Sequence, residues 1–170
     1  MDFIQLAEKR FSVREFSDRK VEKEVVEKIV RAGQLAPTAC NLQPQRIFVI
    51  ESEDALAKLR KCTACHYNAP LAFLVCFDKE ECRKRESDGK SSGDIDASIV
   101  CTHMMLEAAD LGVGSTWVMY YIPEAVKEEF ELPDSLESTA ILVMGYPGEG
   151  TMPSPQHQQK KPAEKTVRYL

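Results

Sequence analysis

Asp94-Ile95-Asp96-Ala97-Ser98-Ile99-Val100-Cys101-Thr102-His103-Met104-Met105-Leu106-Glu107-Ala108-Ala109-Asp110-Leu111-Gly112 is the stretch that decides the fold. It predicts a long helix opened by Asp94 and stopped by Gly112, a residue suited to the turn that ends helices. Apolar and small residues cover most of its circumference: Ile95, Ala97, Ile99, Val100, Cys101, Met104, Met105, Leu106, Ala108 and Ala109. A helix apolar nearly all round lies at the centre of a core or in a subunit interface. His103, alone on it, reads as a hydrogen-bonded packing residue and not as a catalyst.

Helices and strands are expected to alternate unevenly on either side of this helix. Asp2 caps a short helix to about Lys9, with Phe3, Leu6 and Ala7 as its apolar face. Val21, Val25, Ile29, Val30, Ala32 and Ala36 form the stripe of a second helix, ended by Pro37. The loop Thr38–Pro44 leads into a strand from Arg46 to Glu51, and a helix follows around Ala55–Cys62. Leu71–Phe77 is almost continuously apolar, as in a strand buried on both faces. The charged, Ser/Gly-rich segment 80–93 reads as a surface loop. Gly114–Tyr121 forms a short strand and turn, Pro123–Phe130 a helix, and Ser138–Met144 an apolar strand. The pattern is α+β: a mixed, mostly antiparallel sheet flanked by helices. The 170 residues suggest one domain spanning 1–170. Its Pro- and Gln-rich end, about 148–170, has no core of its own and needs something to dock on.

Composition removes several functions. A net charge of -5, with no basic stripe, argues against nucleic acid as the main partner. No apolar run approaches the ~20 residues of a membrane span. Met1–Lys9 has no signal-peptide core, so a cytoplasmic protein is expected. Of the six cysteines, Cys76 and Cys101 sit in apolar runs as small hydrophobes. Cys62-Thr63-Ala64-Cys65 is a lone C-x-x-C with no second pair for zinc, and no metal site is expected. Reduced, unpaired thiols fit a reducing compartment.

Near the start stands Arg10-Phe11-Ser12-Val13-Arg14-Glu15-Phe16. In an extended segment, alternation turns Arg10, Ser12 and Arg14 one way and Phe11 and Val13 the other. Two guanidiniums and a hydroxyl make an anion site, above all for phosphate.

Arg10-x-Ser12-x-Arg14-x-Phe16, Ala36–Pro44, the helix running into Gly112-Val113-Gly114-Ser115-Thr116-Trp117, Val143–Pro147 and the late Lys160-Lys161-Pro162 stand in that order along the chain. Together they resemble the nitroreductase family of FMN-dependent oxidoreductases. The resemblance covers essentially the whole chain. It implies an intertwined homodimer with two FMN sites at its interface, and a C-terminal arm that reaches over the partner subunit. It implies further that Arg10 and Ser12, with Phe11 in the same segment, hold the phosphate side, joined by Lys160 or Lys161. Arg14 would lie near the N1–C2=O edge of the ring. Pro37, Thr38 and Asn41 would line the site from the other subunit. Trp117, Val118 and Met119 would offer backbone groups near N5, and Asn68 would sit near the pyrimidine edge. The implied activity is hydride transfer from NADH or NADPH through flavin N5 to a small planar acceptor, such as a nitroaromatic or a quinone, by a ping-pong mechanism. No side-chain nucleophile is needed. A flavin-binding or flavin-sensing protein without turnover is the alternative.

Several positions depart from the family pattern. Gln45 stands where Trp is frequent after Gln-Pro, and Thr38-Ala39 replaces a serine pair. Ala69-Pro70 replaces a lysine near Asn68, which leaves Arg14 as the main charge near N1. The segment 78–93 is short, which is expected to leave the pocket more open.

Overall fold

The computed structural model describes residues 2–170. Two helices, α1 (Phe3–Lys9) and α2 (Lys23–Gln34), precede the first strand, β1 (Gln45–Ile50). Then follow α3 (Glu53–Cys62), β2 (Leu71–Asp78), α4 (Gly93–Asp110), β3 (Gly114–Val118), α5 (Pro123–Glu129) and β4 (Leu136–Gly145). A short α6 (Ala163–Thr166) lies in the tail. The strands form one sheet in the order β1-β2-β4-β3, every neighbouring pair antiparallel. The sheet is thus antiparallel throughout, as expected for most of it, and the only parallel pairing at its edge among the described residues is an isolated bridge from Ser12 to Ser115 on β3.

Strand alternation divides the core. Leu71, Phe73, Val75 and Phe77 of β2 face α2 and α4, together with Ala140, Leu142 and Met144 of β4. Ala72, Leu74 and Cys76 face α3 and α5, together with Ile141 and Val143. Both faces are covered, so β2 carries no polar alternation and is buried throughout its apolar run. A β-bulge interrupts the register between Val75 and Cys76. Thr139, the residue left over on β4, donates its hydroxyl to Asp94 Oδ1 at 2.9 Å. The bulge thereby ties β4 to the start of α4.

α4 packs on the sheet and on α2, with Val100, Cys101, Met104 and Ala108 fully buried. Its remaining face is covered only in part, by α1. Ile95 is 51% exposed, Ile99, Leu106 and Ala109 are half-buried, and Thr102 is exposed. The 4-3-4-3 spacing of these five places them in one stripe. His103 is half-buried, and its Nδ1 lies 2.9 Å from the Ile99 carbonyl, a local bond one helical turn back. Gly112 closes the helix with φ 78°.

Some expectations shift. α2 buries Ile29 of the expected stripe, together with Val26 and Gly33, while Val21, Val25 and Val30 pack half-buried against the same core and Ala36 is buried just beyond the helix, which ends at Gln34, before Pro37. Phe3 of α1 is 65% exposed, because only Leu6 and Ala7 of its expected apolar face reach the body of the molecule. The tail packs first on its own chain. His157 Nε2 lies 3.1 Å from the Glu8 carbonyl, and its ring meets Phe11 edge-on at 6.3 Å. Every residue from Gln158 onward is exposed, ending in Val167, Tyr169 and Leu170.

Candidate functional site

The Arg10–Phe16 segment lies along the outer edge of β3. Val13 N–H donates to the Ser115 carbonyl at 3.0 Å, and the Thr116 hydroxyl donates back to the Val13 carbonyl. Val13 is buried, and Gly114 admits it: a Cβ at Gly114 would come within 2.7 Å of the Val13 side chain. Alternation holds only from Ser12 onward, where the bridge to β3 begins. Ser12 and Arg14 line one cleft, whereas Arg10 shares another with Phe11 and Val13. The expectation that all three polar residues point one way is corrected for Arg10, because it still closes α1 and donates its backbone N–H to the Leu6 carbonyl.

Arg10 and Arg14, like the exposed Arg31 and Arg168, have no carboxylate within ion-pair distance among the described residues, and of these four only they stand on the edge of the sheet. Arg19, Arg46, Arg60, Arg83 and Arg85 each hold a carboxylate within 4 Å. Arg14 donates to the Ser12 carbonyl at 3.4 Å and lies against the Tyr67 phenol. Lys160 and Lys161 are exposed, and Lys160 lines a groove with Lys9 between α1 and the tail.

Two loops stand beside Arg14. In the first, Tyr67 and Asn68 both have φ 50°, a left-handed conformation costing of order 1 kcal/mol or more per residue. The turn is held by Asn68 N–H, which donates to His66 Nδ1 at 3.0 Å, and by Ala69 N–H, which donates to the His66 carbonyl at 3.0 Å. The Tyr67 phenol is raised above its ordinary pKa, chiefly by its hydrogen bond with Cys65 and by burial, while the Arg14 guanidinium pulls it down. The second follows the end of β3, where Trp117 is half-buried and the Val118 side chain points into the core, so Val118 offers only its backbone. Met119 and Tyr120 are 64% and 77% exposed.

The remaining expected residues lie elsewhere. Pro37 and Asn41 are exposed and Thr38 half-buried, in a loop where Cys40, Asn41 and Gln43 all take positive φ. Asp96, 2% exposed on α4, holds this loop: one carboxylate oxygen accepts Ala39 N–H at 2.9 Å, the other the Ser92 hydroxyl at 2.7 Å. The loop therefore sits at the start of α4. Arg10 sits at its end, in a cleft with Ala109 and Gly112. An 18-residue helix is about 27 Å long, so one chain keeps the two groups far apart.

Asp96 escaped sequence reading because acidic residues in a first helical turn are ordinary capping choices. Thr63 escaped it too, hidden inside the C-x-x-C. Neither thiol of that motif is paired: Cys62 is buried, with its Sγ 3.4 Å from the Lys58 carbonyl, and burial pushes its pKa up. No cluster of metal-ligating side chains occurs among the described residues.

The model of the nitroreductase family matches residues 7–71 and 62–146. A solved nitroreductase family protein from Clostridium difficile 630 is 47% identical and superposes with a TM-score of 0.94, over 99% of this chain and 98% of its own. An FMN-dependent nitroreductase from Clostridium difficile R20291 is 28% identical with a TM-score of 0.80, covering 98% of each chain. An NADPH-dependent oxidoreductase of Staphylococcus aureus N315 is 27% identical over 99% of this chain and 78% of its own length.

Proposed function

Because this chain belongs to the nitroreductase family, we propose that it binds FMN and passes a hydride from NAD(P)H to a small planar acceptor, a nitroaromatic or a quinone, by a ping-pong mechanism. One observation carries the reading. Two arginines without carboxylate partners stand on the edge of β3, next to two loops whose backbone and side chains remain open. Fixed positive charge left unneutralised fits a group that brings a phosphate dianion and a ring edge that gains negative charge. The residues present thus fit the cofactor.

FMN, when bound, supplies a two-electron carrier whose N5 takes up and hands on a hydride. The chain's part is binding and electrostatics. Arg10 holds the phosphate from its cleft at the end of α4, joined by Lys160 or Lys161 from the tail, while Ser12 reaches it from the neighbouring cleft that it shares with Arg14. Arg14 sets a fixed positive charge at the pyrimidine edge, with Asn68 as a neutral partner. The backbone of Trp117–Met119 orients the ring. Hydride transfer through a flavin needs no side-chain nucleophile, so side chains do not enter the covalent chemistry.

A second copy completes the site. The loop carrying Pro37, Thr38 and Asn41 is about one helix length from Arg10 in the same chain. Two copies packed across the partly covered stripe of α4, related by a two-fold axis, bring the start of one helix to the end of the other. The exposed end of the tail, with Tyr169 and Leu170, supports an arm that docks on the partner, the rest of 1–170 forming one domain. No helix among the described residues is long and apolar enough to cross a membrane. The six free thiols suit a reducing, cytoplasmic setting.

The test is direct. The purified chain should take up FMN stoichiometrically as a dimer, and NADH or NADPH should bleach the bound flavin rapidly without oxygen. Protein that stays colourless after incubation with FMN would refute the reading. Flavin bound but untouched by either nicotinamide would instead favour a binding or sensing role.

A further inference from the structure

The C-x-x-C motif joins the two loops of the candidate site through its interior hydroxyl. Thr63 is 5% exposed, between the two cysteines. Its Oγ1 donates to the Tyr120 carbonyl and accepts Cys65 N–H at 2.9 Å. One step away, Ile122 N–H donates to the Cys62 carbonyl at 3.0 Å. Both hydrogen-bonding functions of one buried hydroxyl are used, one in each loop. Cys65 is followed within two residues by the left-handed pair Tyr67-Asn68, and Tyr120 is preceded by Met119.

We propose that Thr63 is a positioning residue: it sets the separation between the Met119 peptide and the Tyr67-Asn68 turn beside Arg14, and so sets the charge environment of the flavin ring. This rests on the FMN reading above. A rigid separation matters because a fixed charge acts on a cofactor through distance, and an ångström is a large change at close range. The turn at Tyr67-Asn68 is strained and needs an anchor on each side. Thr63 supplies the one before it, and the sheet supplies the one after it through Leu71.

Two variants of the FMN-loaded dimer test this. Thr63→Val keeps the volume and loses both hydrogen bonds. Thr63→Ser keeps both bonds and loses a methyl. Redox titration against dyes of known potential, with parallel measurement of FMN affinity, is the experiment. Thr63→Val should hold FMN within about threefold of wild type, since the phosphate clamp is elsewhere. Its flavin should be at least tenfold harder to reduce at a given solution potential, about 30 mV for a two-electron couple. Thr63→Ser should titrate like wild type. An unmoved potential in Thr63→Val overturns the proposal. So does equal loss of FMN in both variants, which would mark a purely structural role. Failure of wild type to bind FMN would overturn the functional reading itself, and with it any role for Thr63 at a flavin; the two failures are therefore distinguishable.

Discussion

The two ends of α4 are built on opposite plans. At its start, polar groups satisfy one another: Asp96 accepts from the Thr38–Asn41 loop and from Ser92, and Asp94 accepts from the bulge at Thr139. At its end, Arg10 and Arg14 stand beside β3 with no carboxylate partner. A buried carboxylate with two good donors makes a rigid platform. Unneutralised guanidiniums make a receptor. The comparison suggests a division of labour: the first end shapes a wall and the second supplies charge, and two copies are needed to bring wall and charge together.

The largest effect should come from separating the ends. Ile95 is exposed on the α4 stripe, so Ile95→Glu leaves the protomer core intact while burying a charge between copies. We expect monomers by sedimentation and loss of FMN binding. A monomer that retains FMN at wild-type affinity would mean that one end suffices.

Asp96→Ala attacks the platform alone. It strands Ala39 N–H and the Ser92 hydroxyl, and each orphaned group costs ~1–3 kcal/mol. Urea denaturation should show a loss of about 3 kcal/mol with an unchanged slope. A loss below about 1 kcal/mol would show that the loop is held by other contacts. At the opposite end, Arg10→Ala should weaken FMN binding by more than ~1.5 kcal/mol, the worth of a charge-assisted bond to phosphate. Stability should barely move, because Arg10 holds no partner there. Arg14→Ala should make the flavin harder to reduce more than it lowers affinity, which redox titration beside fluorescence titration of FMN would separate.

How much of this was legible in the sequence depended on the range of the interactions. Leu71–Phe77 disclosed a strand covered on both faces because apolar continuity is a local property. Gly112 disclosed the end of α4 for the same reason. The stripe of α2 is legible in part: Ile29 is buried and Val21, Val25 and Val30 pack against the core, whereas Val26 and Gly33, which lies against Met104 and Ile47, enter it only through tertiary packing. Alternation named Ser12 and Arg14 correctly as neighbours and failed at Arg10, where the helix had not yet released the chain. Asp96 and Thr63 act across 57 residues of sequence, and nothing nearby marks either.

The smallest effect should come from the residues that look most reactive. Cys62 is 1% exposed and its thiol is raised by burial, conditions that suppress the thiolate needed for disulfide exchange. Cys65 is half-buried and unpaired. If the motif were a redox switch, replacing both thiols by hydroxyls would abolish its response to oxidants and change turnover. If the hydroxyl between them carries the structural role, Cys62→Ser/Cys65→Ser should keep turnover within about twofold, since serine at 62 can still donate to the Lys58 carbonyl and Thr63 is untouched. A several-fold change in turnover, or a disulfide found by mass spectrometry under mild oxidation, would return the thiols to the centre of the argument and weaken the contrast between the two ends of α4, because the charged end would then be under redox control.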